Sequence, residues 1–95
     1  MKFPISRQEE QDFPEFRSYE DAASFFKEKY GTDFVYEDND GEWYFFALVS
    51  DHEVYRNGKN YLSKGMSLSG SLAMDFLKSY QSIQINKNGN VHIVH

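Results

Sequence analysis

Five short stretches of this chain carry residue types that could do chemistry. Asp38-Asn39-Asp40-Gly41-Glu42 has the composition of a calcium loop. A helix–loop–helix calcium site also needs an acid two residues before Asp38 and a bidentate Glu at the twelfth loop position. Those places hold Tyr36 and Ala47, so an acidic hairpin turn is the expected reading. His92 and His95 are spaced to converge on a helix, but on a strand they point to opposite faces. His52 is the only other histidine, and a zinc site needs three or four converging ligands. No metal or other cofactor is expected.

Ser50-Asp51-His52-Glu53 places a serine, acids and a histidine side by side. A catalytic triad is assembled from separate elements, and neighbours on one extended segment cannot form its nucleophile–base–orienter chain. This stretch reads as a polar turn. Gly65-Met66-Ser67-Leu68-Ser69-Gly70-Ser71-Leu72 has two glycines at the separation of a phosphate loop, but Ser71 stands where the lysine belongs and Leu72 where the magnesium-binding hydroxyl belongs. A small enzyme or an anion- or ligand-binding domain that uses the Gly65–Ser71 turn remains as an alternative, with Lys64, Ser69, Gly70 and Ser71 around free amides at a helix start. With no constellation for catalysis, the expectation is a protein that is not an enzyme.

Charge is distributed unevenly. Residues 1–53 carry 14 of the 15 acids and five bases, a balance of −9; residues 54–95 carry Asp75 against Arg56, Lys59, Lys64, Lys78 and Lys87, a balance of +4. Such asymmetry bears on association rather than on fold. The five dispersed bases form a weak footprint for nucleic acid or another polyanion, and the acidic whole opposes it. Fourteen of the 17 aromatic residues lie between Phe13 and Tyr61, interleaved with most of the acids. Aromatics left over from a small core, beside charges, resemble a protein-binding surface. The expected function is therefore a non-catalytic interaction protein of the inhibitor, immunity or regulatory kind. Its acidic half would dock on a basic protein surface, with Asp38, Asp40 and Glu42 steering and Tyr36, Trp43 or Tyr44 as anchor.

The elements that must position these residues are readable from caps and spacing. Ninety-five residues fit one domain, and residues 1–17 read as an acidic, irregular lead-in pinned by Phe13 and Phe16. Ser18 is a good N-cap. Tyr19, Ala22, Ala23, Phe26 and Tyr30 follow at helical spacing, and Gly31 supplies the C-terminal cap. This predicts a helix over 19–30. Asp40-Gly41 between aromatic and β-branched runs predicts a hairpin, with positive φ at both turn residues. Val54-Tyr55, Asn57-Gly58 and Tyr61-Leu62 suggest a short second hairpin. A helix over 69–80 carries the stripe Leu72, Ala73, Phe76, Leu77 and Tyr80. Alternation around Lys87-Asn88-Gly89 predicts a last hairpin that pairs Ile85 with Val91, Ile83 with Ile93 and Gln84 with His92.

The resulting fold class is α+β, a two-layer sandwich in approximate helix–hairpin, helix–hairpin order, with an antiparallel sheet and two helices on one face. Without cysteine there is no disulfide framework, and no stretch is long and apolar enough to cross a bilayer, so a cytoplasmic location is expected. Residues with AT-rich codons (Phe, Tyr, Met, Ile, Asn, Lys) outnumber Gly, Ala, Arg and Pro by 36 to 15, which points to a low-GC bacterium or phage.

Overall fold

The computed structural model describes residues 3–95; Met1 and Lys2, the start of the expected lead-in, lie outside the described residues. Four antiparallel strands form one sheet in the order β1-β2-β3-β4. They are β1 (Phe34–Asn39), β2 (Trp43–Val49), β3 (Tyr80–Asn86) and β4 (Val91–Ile93). The helices are α1 (Arg7–Gln11), α2 (Tyr19–Tyr30), α3 (His52–Ser63) and α4 (Gly70–Lys78). The first and last of the three predicted hairpins thus pool into one sheet of the α+β class, joined through β2 and β3.

Helix α2 has the expected bounds, and the Ser18 hydroxyl accepts from the Asp21 amide at 3.1 Å. The closing hairpin also has the expected register, with Ile85 opposite Val91, Gln84 opposite His92 and Ile83 opposite Ile93. Its turn packs tightly on the lead-in. A Cβ at Gly89, where φ is +88°, would lie 2.8 Å from the Phe16 carbonyl oxygen, and the Tyr19 amide donates to the Lys87 carbonyl at 3.2 Å. The β1–β2 turn differs from expectation: only Gly41 takes positive φ, and Asp40 does not. The Asp40 carboxylate accepts from both the Glu42 and Trp43 amides, which fixes the turn without a left-handed Asp.

The lead-in is more ordered than its polarity suggests. Ser6 and Glu9 form a reciprocal capping box at the start of α1. Ile5 is fully buried, and the buried Gln81 side chain serves both of its backbone groups, accepting from its N–H at 2.8 Å and donating to its carbonyl at 3.1 Å. Phe13 and Phe16 pack on Phe25 and Phe26 with ring centroids 5.2–6.0 Å apart.

The short second hairpin expected over 54–62 is instead the interior of α3. Asp51 caps this helix by accepting from the Val54 amide at 3.1 Å. Asn57-Gly58, read as a turn, sits mid-helix because the glycine serves packing. A Cβ at Gly58 would overlap the ring of Phe76 on α4. Tyr80, expected to close the second helical stripe, is the first residue of β3, since the chain leaves the helix at Ser79. Of that stripe only Phe76 is buried, while Leu72 and Leu77 are exposed.

The helices also divide between the two faces of the sheet rather than sharing one. Ala22, Phe26 and Tyr30 of α2 pack on Phe34, Phe46, Leu48, Ile83, Ile85 and Ile93. Tyr55 of α3 and Phe76 of α4 pack on Ala47 and Val49, with Val35 and Tyr80 at their margin. Strand alternation dictates the split, because β2 is apolar on both faces and each face needs its own cover. The described order is helix, sheet, helix pair.

Two substitutions test this packing. Gly58→Ala is expected to lower stability by about 1–2 kcal/mol in urea unfolding, since overpacking outweighs the gain in helix propensity. Tyr30→Phe is expected to leave stability unchanged or raise it by up to about 1 kcal/mol. The Tyr30 hydroxyl is buried with no hydrogen-bond partner among the described residues.

Candidate functional site

The sheet pleat separates the side chains that sequence placed together. Tyr36 pairs with Phe46, and Tyr44 stacks on Tyr19 at 3.9 Å, so both lie on the α2 face. Asp38 pairs with Phe45, two residues from Trp43, on the opposite face. Asp40 and Glu42 occupy the turn. Tyr36 is 50% exposed, whereas Trp43 and Tyr44 are half-buried.

Trp43 and Phe45 form the first candidate surface. The α3–α4 pair covers Ala47 and Val49 farther along β2, and Trp43 and Phe45 belong to neither core cluster. Neither ring has an aromatic partner among the described residues. Across the sheet, Gln84 lies opposite Phe45 and His92 lies opposite Gln84, while Asn86 lies opposite Trp43. The result is a half-buried aromatic pair on the sheet outside both cores, with Asp38 on one side and polar groups on the other.

Each nearby acid has a distinct setting. A bulge between Tyr36 and Asp38 leaves Glu37 as the extra residue. Its carboxylate turns inward, accepts from the Tyr55 hydroxyl at 2.6 Å and pairs with Lys59. Burial first, and then this bond to Glu37, push the Tyr55 pKa above the ordinary tyrosine value. Asp38 accepts from the Asn39 amide at 2.8 Å. Asp40 is fully exposed, and hydrogen bonds from the Trp43 amide at 2.7 Å and the Glu42 amide at 2.9 Å hold its pKa below the usual aspartate value.

The second candidate surface was not foreseen from sequence. Among the described residues, the large apolar side chains left exposed include Tyr61, Leu62, Met66, Leu72, Met74 and Leu77, all between positions 61 and 77. A cavity of about 470 Å³ runs between α3 and α4, with Gly58 and Phe76 at its base and Val54, Tyr61, Leu72 and Met66 on its sides. The available signal was the breadth of the apolar arc of α4: Ser71, Asp75 and Lys78, at i, i+4 and i+7, share one stripe and leave the rest of the helix apolar.

The other sequence candidates do not converge. Lys64 lines the α3–α4 cavity with Asp75, and Ser69, Gly70 and Ser71 do not. The Ser69 hydroxyl makes no capping bond at the start of α4. His52 bonds Asp33 at 2.7 Å with both side chains substantially exposed. His95 bonds Glu10 at 2.6 Å on the lead-in, while His92 is exposed on the other face. The bases of the second half are spread over α3, α4 and the β3–β4 turn, and Lys59 is engaged with Glu37.

Among the described residues, no three His, Asp or Glu side chains are arranged to hold a metal ion, and no helix is long and apolar enough to cross a membrane. Comparison with protein-family models, curated proteins and solved structures finds no match in any of the three.

Asp40 gives a pH test of the turn. Its folded pKa is depressed, so its contribution to stability is present above the unfolded aspartate pKa and is lost as pH falls through the lower folded value. An NMR titration of side-chain carboxyl carbons should place Asp40 below the usual aspartate value. Asp40→Ala should weaken the turn at neutral pH and lose that part of the acid dependence.

Proposed function

We propose that this protein is a cytoplasmic, non-catalytic interaction protein, of the inhibitor, immunity or regulatory kind, that docks on a basic surface of another protein. The observation that supports this reading is the pair Trp43 and Phe45, half-buried on the sheet outside both cores with Asp38 beside them. Aromatic side chains in a desolvated contact supply most of the binding energy and set the off-rate, whereas surrounding acids raise the on-rate and are screened by salt. Asp38, Asp40 and Glu42 serve as the steering charges. Of the three aromatics expected as anchor, Trp43 shares its face with Phe45 and Asp38. Tyr44 is stacked on Tyr19, and Tyr36 faces the α2 side.

The test begins with affinity capture from the source cells and mass spectrometry, followed by binding kinetics with the captured partner. Reversing Asp38 and Glu42 to Lys should slow association by about tenfold at low salt and much less at high salt. Trp43→Ala should speed dissociation at both salt concentrations while leaving the circular dichroism spectrum intact. A partner indifferent to all of these changes would overturn the proposal.

A further inference from the structure

The α3–α4 surface poses a separate question, because its residues play no part in the proposed docking by Trp43. A helix whose polar side chains share one narrow stripe, as at i, i+4 and i+7, has a broad apolar arc that needs cover. Helix α4 fits that description, yet Phe76 is its only buried residue and Leu72 is 58% exposed. With Tyr61, Leu62 and Met66 from the end of α3 and its loop, this makes a contiguous stretch of sequence whose apolar side chains lack cover. Uncovered surface of this kind marks an association site.

Its layout is that of an interface in miniature, apolar at the centre and polar at the rim. Gly58 and Phe76 form the floor, and the projecting Tyr61 and Leu72 form opposing walls. The charged rim groups are Lys64 on the α3 side and Asp75 on α4. Neither is in an ion pair among the described residues.

We propose that this groove is the interface of a two-fold symmetric dimer, occupied by the same surface of a second copy of the chain. In such a contact, residue i of one protomer meets residue j of the other, and j meets i. The groove meets that requirement in shape and in charge. Each copy supplies both walls and a depression, so the Tyr61 and Leu72 ridges of one enter the groove of the other. Each copy also supplies one free cation and one free anion, so the axis pairs Lys64 with Asp75 twice. Lys64 and Asp75 cancel at the rim, and most of the acids that give the chain its net charge of −5 precede α3. Apolar surfaces therefore meet without a strong like-charge penalty.

The experiment is sedimentation velocity on the purified full-length chain over a wide concentration range. The expected species is a dimer of the 11.2 kDa protein. Leu72→Glu, at an exposed position, should give a monomer with an unchanged circular dichroism spectrum. Lys64→Glu and Asp75→Lys should each weaken dimerisation by about tenfold or more, since each creates two like-charge contacts. An equimolar mixture of these two variants should recover the dimer, because both cross-pairs are then again opposite in sign. A monomer at every concentration would overturn the proposal, as would a dimer insensitive to Leu72→Glu. An open-ended series of oligomers, or failure of the mixture to recover, would also exclude the two-fold contact.

Discussion

The missing side chain at Gly58 governs how closely α3 and α4 approach, and much of the second face of the sheet depends on that approach. Phe76 lies where a Cβ would be. Its ring in turn meets Tyr55 at 6.1 Å and Tyr80 at 5.2 Å. These three rings, with Ala47 and Val49 beneath them, form nearly the whole of the second core. A glycine inside an exposed helix costs roughly 0.5–1 kcal/mol relative to alanine. Here the close contact it permits offsets that cost, and it also leaves a groove of apolar walls above the contact.

The first core is organised on a different principle. It is larger, and aromatic stacking links it from the lead-in through α2 to the sheet, with Phe26, Phe34 and Phe46 in near-parallel sequence. Gln81 extends it to Ile5 by giving that residue the two backbone hydrogen bonds that a neighbouring strand would provide. Leaving those groups buried and unpaired would carry a penalty of several kcal/mol, so one polar side chain in the core fixes where the lead-in lies. The two cores are therefore unequal. The first consumes most of the aromatic residues of the acidic half, whereas the second, on α3 and α4, is thin and leaves apolar residues outside.

Local signals were legible where they agreed with the tertiary arrangement. The Ser18 cap, the apolar spacing of α2 and the Gly89 turn each stood in sequence as they do in the fold. The failures share a cause, which is that a residue's usual role was overridden by a distant contact. Asn57-Gly58 has the chemistry of a turn, but Phe76, 18 positions later, uses the glycine as a packing notch. Ile5 follows Phe3 and Pro4 with no helical or strand periodicity to mark it as core, because its burial depends on Gln81. The stripe on α4 is real as a pattern, but periodicity does not say whether a neighbour exists to cover it. The candidate site was half legible for the same reason. Sequence grouped Tyr36, Asp38, Trp43 and Tyr44 by proximity along the chain, and strand alternation divides them between two faces.

That division also assigns different work to the acids. Strand β1 is an edge, where charges and a bulge discourage pairing with other chains. Glu37 at the bulge is turned inward to Tyr55 and Lys59, so it serves the second core rather than a partner. The Asp40 carboxylate already holds the amides of its own turn, and a direct contact through it would compete with those bonds. Steering has no such requirement, because a charge acts over about a Debye length whatever its oxygens are bonded to. Asp40 can therefore contribute to the approach of a basic partner while remaining a structural group. Asp38 and Glu42, whose exposed carboxylates are less committed within the turn, are the acids able to make contact beside Trp43.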